Sequence, residues 1–466
     1  MAGPILHDFE RPPVELPPLL LDRSAERPLA VQLADALRSA TAGGALRTGD
    51  RLPSTRALAA TLGVSRTVTA AAYDQLLAEG WAVGRRGAGT FVIGPPAGRS
   101  PAVPPDVLAE PETRRPAAIS LQPGTPCVEV LDRAAWRRAW RAAADPPPDI
   151  GPDPVGLPAF RVAVTEHLLR HRGLPAAAVL ATGGSTSAVA ELARTFPRGA
   201  RVAVEEPGYQ RAVGALRGAG LEVVRVPVDG AGLVVDALPA GLAAVYCTPA
   251  HQFPLGARLS AARRVALVAR ARAEGFLVVE DDYDGELRYD VAPLPLLAAL
   301  GPDVVAHLGT ASKLLTPTLG VGWLVAPPAV RAAVLDLRDR TGARPARAGQ
   351  RVFAAFAAHG DLARHLRRLR RELAGRRSAV VAAVHAAGLG VEGDAAGAHV
   401  LVPLPDAAAE RALLAAAAAR GVELDGLARH HAGEPRRAGL VLGYAGTSRA
   451  ELDRALPVLR ECPVAR

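Results

Sequence analysis

The 466-residue sequence predicts an α/β protein in two parts: a small helical module closed by a β-hairpin, then a large domain built on a mainly parallel sheet. Three observations predict it. Two short helical segments meet at Gly63 and are followed by a glycine-rich, arginine-tipped hairpin. Residues 94–118 hold many prolines with glycine, serine and charged residues and show no apolar period, so they read as an extended linker. From Ile119 onward, short β-like apolar runs alternate with alanine- and leucine-rich helical runs, the texture of helices packed on a parallel sheet. The expected parts are 1–93, the linker 94–118, and 119–466.

The totals bound the class. With 49% hydrophobic residues, a chain of this length holds ample apolar surface for a large core. A formal net charge of +9 and a pI near 10.2 fit an anionic partner, although an arginine-rich composition alone would raise both. Cys127, Cys247 and Cys462 are widely spaced and form no CxxC pair, which points to a reducing compartment rather than a disulfide framework. The first residues carry no basic segment ahead of an apolar run, and alanine-rich runs such as 413–419 are too short to span a bilayer. A cytoplasmic protein without membrane insertion is expected.

Between residues 28 and 42, Leu29, Leu33, Ala36, Leu37 and Ala40 fall on one face of a helix that Gly43-Gly44 ends. Ser54 is placed to cap a short second helix, Gly63 to turn the chain, and Ser65 to cap a third helix running to about Glu79. Two helices joined by a tight glycine turn form a helix-turn-helix. On the third helix Val68, Ala72 and Leu76 share the inner face, which points Arg66, Thr67 and Ala70 outward near its N-terminus, where base edges and phosphates of a major groove would be reached. Apolar runs at 81–83 and 90–93 flank Gly84-Arg85-Arg86-Gly87-Ala88-Gly89, a hairpin tipped by two arginines. The stretch from Leu52 to Val92 resembles the winged helix of the GntR family of bacterial regulators, whose LPS-R-LA, GVSR, L-AEG and GTFV pattern it carries almost word for word. The resemblance implies that Arg56, Ser65, Arg66, Thr67, Arg85, Arg86 and Thr90 face a double-stranded DNA operator. A helical hairpin used only for protein contacts would leave the basic tip unexplained.

In the large domain the clearest strands are 180–182, 202–205, 223–226, 244–247 and 276–280, and each ends in a polar cluster. Ligands of open α/β sheets sit beyond the carboxyl ends of the strands, so the chemistry is expected there. Gly183-Gly184-Ser185-Thr186 opens a helix whose free N–H groups, with two hydroxyls, make an anion site. Tyr209 and Arg211 follow the next strand with a ring and a cation, and residues 248–256 place His251 on a proline-bounded loop. Glu280-Asp281-Asp282-Tyr283-Asp284 crowds four carboxylates at one strand end, which suits a site needing a buried carboxylate, a divalent cation, or a solvated acidic edge. Lys313, in Gly309-Thr310-Ala311-Ser312-Lys313, is the only lysine among 55 Lys and Arg residues. Salt bridges and phosphate contacts accept a guanidinium, but an aldehyde requires an amine, so Lys313 is a candidate Schiff-base lysine.

The order of these groups is similar to that of the fold type I aminotransferases, which hold pyridoxal 5′-phosphate (PLP). With the winged helix ahead of them, residues from about Arg27 to Leu459 resemble the MocR/GabR-type regulators, a GntR DNA-binding domain fused to an aminotransferase-like effector domain. The likeness is carried by EEPGY at 205–209, TPAHQFPLG at 248–256, EDDYDGE at 280–286, SK at 312–313 and an RHLRRLR-type segment at 364–371. It implies a fold type I domain with a smaller C-terminal α/β subdomain, and PLP held covalently by Lys313. It further implies Asp281 on the pyridine nitrogen, Tyr283 on the ring hydroxyl, Tyr209 against the ring, and Gly184, Ser185, Thr186, Thr310 and Ser312 on the phosphate. An amino-acid-like effector would have its carboxylate gripped by Arg429, with Arg211 second, and the protein would be a homodimer. No metal is expected, because the adjacent His430 and His431 are poorly placed to converge on one ion.

Three positions depart from the family pattern. Gly320 stands seven residues past Lys313, where an arginine clamps the phosphate; Cys127 replaces an aspartate, and His430-His431 a tyrosine pair. The expected function is a transcription regulator that senses an amino compound by aldimine exchange at Lys313, with little or no turnover. The alternatives are a working aminotransferase with an accessory DNA-binding domain, and a DNA-binding dimer that has lost PLP.

Overall fold

The computed structural model describes residues 13–14, 16–85, 88–93, 118–147, 151, 153–175 and 178–461. The chain divides into two compact units, Met1–Thr113 and Arg114–Arg466. The expected linker, apart from Ala118, lies outside the described residues, as do Arg86 and Cys462.

In the first unit α1 (Leu29–Ala42), α2 (Thr55–Leu62) and α3 (Arg66–Ala78) precede an antiparallel hairpin of β1 (Ala82–Arg85) and β2 (Gly89–Val92). The expected caps are in place. The Ser54 hydroxyl accepts from Ala57 N at 3.1 Å and the Ser65 hydroxyl from Val68 N at 3.4 Å, while Gly63 turns the chain with φ +63°. The inner face of α3 differs from expectation: Thr69 is buried with Ala72, Tyr73 and Leu76, whereas Val68 and Ala70 are half-buried. Thr69 tolerates burial because its hydroxyl reaches Thr55 O at 2.9 Å and Arg66 O at 3.0 Å. Arg56, Ser65, Arg66, Thr67 and Arg85 are exposed and Thr90 is half-buried. The Arg85 guanidinium lies 4.9 Å from the Phe91 ring centre. Leu33, Leu37, Leu52, Leu58, Leu76 and Val92 belong to the single core that holds these elements together.

The second unit opens with β3 (Ile119–Ser120), α4 (Arg133–Ala144), α5 (Pro158–Arg172), β4 (Val179–Thr182), α6 (Ser185–Ala193), β5 (Arg201–Glu206), α7 (Gln210–Gly218), β6 (Glu222–Asp229) and β7 (Gly232–Leu233). It continues through β8 (Ala244–Cys247), α8 (Ala261–Glu274), β9 (Leu277–Asp282), α9 (Leu297–Leu300), β10 (Val305–Thr310), β11 (Gly322–Val325), α10 (Pro328–Thr341), α11 (Arg347–Ala358) and α12 (Asp361–Ala386). It ends with β12 (His399–Leu404), α13 (Ala407–Ala418), β13 (Val422–Glu423), β14 (Ala438–Gly443) and α14 (Arg449–Glu461). The large sheet has the order β4-β11-β10-β9-β8-β5-β6-β7. Strands β10, β9, β8, β5 and β6 are parallel; β11 is antiparallel to both β10 and β4, and β7 to β6. Since only β11 is reversed between β4 and β10, the carboxyl ends of β4, β10, β9, β8 and β5 share one edge. β12 pairs with β14, and β13 with β3, so the start of this unit is part of the smaller C-terminal subdomain.

Strand pleating sends successive residues to opposite faces. Val245 and Cys247 of β8 join the core under α5 and α8, while Ala244 and Tyr246 join the one under α6, α7 and α10. The same alternation divides the acidic run at the end of β9, which reads in sequence as one cluster. Asp282 takes a hydrogen bond from Arg172 at 2.9 Å, and Glu280 caps the start of α9 by accepting from Leu297 N at 2.7 Å and Ala298 N at 3.1 Å. Asp281 turns the other way. All four carboxylates are buried, so a solvated acidic edge does not exist here, and their dispersal removes the single cation-binding cluster.

Candidate functional site

A cleft of about 1170 Å³ opens at the carboxyl edge of the sheet. At one end β4 runs into Gly183-Gly184, and α6 begins at Ser185 with Gly184 at φ +118°. This glycine permits a close approach: a Cβ there would stand 3.5 Å from Thr310 Oγ1 and 4.0 Å from Ser312 Oγ. Thr310 Oγ1 donates to Ser312 Oγ at 3.0 Å and accepts from Ser312 N at 3.1 Å. The expected phosphate donors from two chain segments, Gly184-Ser185-Thr186 and Thr310 with Ser312, thus meet at one helix N-terminus. Thr186 Oγ1 is 3.0 Å from the Tyr209 hydroxyl, which brings that ring beside them.

Lys313 enters the cleft from the loop after β10, and its Nζ donates to Gly124 O. Burial pushes its pKa down, while Asp284 and Asp281 pull it up and Arg211 pushes it down. Asp281 sits on the strand beside it. The Tyr246 hydroxyl donates to Asp281 Oδ2 at 2.6 Å, and burial pushes the acid up to about 6 against that bond. Asp281 Oδ1 is buried and accepts no hydrogen bond, which makes it an acceptor suited to a protonated pyridine nitrogen. The residues present therefore fit PLP. Tyr283 lines the same wall and donates its hydroxyl to His251 O at 3.0 Å.

At the other end the buried Asp425 holds two neighbours, Arg429 Nε at 2.7 Å and His430 Nε2 at 2.9 Å. Arg429, 59% exposed, and the exposed Arg211 both line the cleft. Of the histidine pair, His430 lines the cleft, whereas His431 turns back to place Nδ1 3.2 Å from Leu427 O. Phe253 stands edge-on to Tyr209, Tyr283, His399 and His430, with centroids 5.0–6.2 Å away. Tyr246, His399, Asp425 and the Gln122-Pro123-Gly124-Thr125 loop are site residues that sequence reasoning missed. Only Tyr246, an inward tyrosine at a strand end, carried a signal. Among the described residues, donor atoms of His251, Asp284 and His399 lie within 4.8 Å of one another. Cys127 is buried and does not line the cleft, so that departure is a matter of packing.

A winged helix followed by a fold type I domain whose strand-end cleft carries one lysine defines a DNA-binding transcription regulator with a PLP-binding, aminotransferase-like effector domain. Residues 29–92 match the family of bacterial regulatory proteins, gntR family, and residues 119–459 match aminotransferase class I and II. The chain is 33% identical over 477 residues to the probable rhizopine catabolism regulatory protein MocR of Rhizobium meliloti, covering 95% of each chain. It is 40% identical over 368 residues to the HTH-type pyridoxine biosynthesis transcriptional regulator PdxR of Corynebacterium glutamicum, covering 78% of this chain and 80% of that one. Among solved structures it resembles Pyrococcus horikoshii kynurenine aminotransferase in complex with PMP, with a TM-score of 0.68, 25% identity, and coverage of 74% of this chain and 90% of the other. The chain belongs to the MocR family of transcriptional regulators, in which a GntR-type domain is fused to an aminotransferase class I and II domain.

Proposed function

We propose that this regulator binds its operator through residues 1–93 and holds PLP on Lys313 in the domain of residues 119–466. An amino-acid-like compound that takes the place of Lys313 then changes the grip on DNA. The observation that carries the reading is the meeting, in one cleft, of the only lysine, a buried carboxylate oxygen without a partner, and a helix N-terminus flanked by hydroxyls. PLP bound there supplies an aldehyde carbon for amines and an electron-withdrawing ring. Lys313 provides the amine, and its burial increases the neutral fraction that can act as nucleophile. Asp281 keeps the ring nitrogen protonated; Tyr209 and Tyr283 border the ring, and Gly184, Ser185, Thr186, Thr310 and Ser312 hold the phosphate. Arg429, oriented by Asp425, and Arg211 offer guanidiniums to the effector carboxylate. On the other unit, the exposed Arg56, Ser65, Arg66, Thr67 and Arg85, with Thr90, meet the operator. The assembly we propose is a cytoplasmic homodimer joined to its DNA-binding part by the linker 94–118. Among the described residues no helix is long and apolar enough to cross a membrane.

Borohydride reduction of the PLP-loaded protein followed by peptide mapping tests the reading. A phosphopyridoxyl group on the Lys313 peptide supports it; a group confined to the N-terminal amine refutes it. Gly320 favours a second reading, in which PLP itself is the signal. Without the phosphate arginine PLP would be held less tightly, so that occupancy would respond to free PLP, and a relative is named as a regulator of pyridoxine biosynthesis. Operator affinity measured with PLP alone, and then with PLP plus a panel of amino acids, separates the two.

A further inference from the structure

Outside the groups assigned above, three further acids line the cleft, Asp284, Glu423 and Glu451, and of these Asp284 alone is buried with an unused oxygen. Asp284 lies two residues beyond β9 and Lys313 three beyond β10, its parallel neighbour, so both enter the cleft from adjacent strand ends. The Asp284 side chain is 2% exposed; its Oδ2 is 2.9 Å from His251 Nδ1, and its Oδ1 is buried without a partner. His251 is fixed in place: Tyr283 holds its carbonyl, and Gly397 packs so closely that a Cβ there would meet the ring at 2.1 Å. With Nδ1–H donating to Oδ2, the imidazole orients the carboxylate and leaves Oδ1 as the free acceptor. A metal ion shared with His399 would have to break this hydrogen bond, and His399 Nε2 is already 3.2 Å from Pro254 O. The group is a hydrogen-bonded dyad rather than a ligand set.

We propose that the His251–Asp284 dyad is the proton-holding partner of Lys313. Asp284 Oδ1 takes the proton that an incoming ammonium must lose before its nitrogen can act as a nucleophile, and returns it to the lysine amine as that amine is released. This rests on the reading of Lys313 given above. In the first transfer an N–H bond of the effector breaks, its electron pair stays on nitrogen, and an O–H bond forms on Asp284. In the second that O–H bond breaks and an N–H bond forms on Lys313, so no further acid is needed. His251 is a positioning residue that acts through Asp284. Asp284, Asp281 and Arg211 carry the charges that act on Lys313 most strongly, Arg429, Glu423 and Glu451 line the same cleft, and His399 stands nearby. Asp281 is committed to Tyr246 and the ring nitrogen, and burial pushes His399 well below the usual imidazole range, so that it stays neutral. Asp284 is the carboxylate left to serve the lysine.

Because Lys313 is the only lysine, its titration can be read in the full-length apoprotein by competitive acetylation across a pH series, with mapping to separate it from the N-terminal amine. Asp284→Asn keeps an acceptor for His251 but removes the charge that stabilises the ammonium. Its lysine should therefore titrate lower and be acetylated roughly tenfold faster below the wild-type midpoint. His251→Asn, which loosens the carboxylate without removing its charge, should move the midpoint the same way by less, and remains informative if Asp284→Asn fails to fold. In the PLP-loaded Asp284→Asn protein the spectral change on adding an amine should slow most at low pH, where the amine arrives as an ammonium. An unchanged acetylation midpoint in both variants overturns the proposal. A shifted midpoint in a protein that never takes up PLP on Lys313 would overturn the cofactor reading instead.

Discussion

Gly320→Arg restores a guanidinium at the position where the family clamps the phosphate, and the backbone there decides how the result is read. Gly320 ends the turn Pro317–Leu319 at φ +56° and ψ +43°, and an added Cβ would meet no heavy atom within 4 Å. Two residues on, Gly322 already lies against the phosphate end, since its Cβ would stand 2.7 Å from the Gly184 Cα. Any side chain at this φ costs about 1–2 kcal/mol of folding free energy. That strain is present with and without cofactor, so it lowers stability and leaves the affinity difference intact. A charge-assisted contact to a phosphate contributes about 1.5–3 kcal/mol, so the arginine should tighten PLP roughly ten- to a hundred-fold. Gly320→Ala is the control: the same loss of stability and no gain in affinity. Titrating each apoprotein with PLP by visible absorbance, beside denaturant unfolding, gives both quantities. If the arginine variant binds PLP no more tightly than the alanine variant, the guanidinium does not reach the phosphate and the reasoning fails.

Lys313→Arg should fold, by circular dichroism, yet show no visible cofactor band, because charge is kept and the nucleophile lost; a retained band would sink the assignment. Arg66→Ala and Arg85→Ala should each weaken operator binding, lower the slope of log K against log salt by about one unit, and leave the cofactor spectrum unchanged. Fluorescence anisotropy across a salt series checks this, and unaltered binding in both would move the DNA contact to the basic helix at 364–377. Asp281→Asn should flatten the pH dependence of apoprotein stability. Burial raises the folded-state pKa of Asp281 to about 6, above its unfolded value of about 4. Its stabilising contribution is therefore complete below about pH 4 and is lost as pH rises through about 6. Melting temperatures of the variant between about pH 4 and 7 should fall less steeply than those of the wild type, and an equal slope would assign the titration to another group.

What could be read from the sequence was local. Ser54, Gly63 and Ser65 announce the turn between α2 and α3 because a cap and a left-handed glycine act within a few residues. Gly184, Asp281 and Lys313 stand at strand ends, where fold type I chemistry gathers. Contacts made across the fold stayed hidden. The burial of Thr69 depends on Thr55 O, contributed by another helix. The acidic run could not be divided until the pleat of β9 set Asp281 against Tyr246 and Asp282 against Arg172. Asp425 gave no sign of holding Arg429 and His430, for its position depends on how the loop from β13 folds back into the cleft.

The pairing of β4 with β11 also fixes an order of assembly. Val179 lies opposite Val325 and Thr182 opposite Gly322, so the sheet is completed only by a strand that lies past the middle of the long second unit. Closing so wide a loop is slow compared with contacts between neighbours in the chain, whereas among the described residues the core of the first unit draws on residues 14–92. During translation the N-terminal unit can fold while β11 is still unmade. A newborn chain thus has the core around its helix-turn-helix complete before the sheet that carries Lys313 can close.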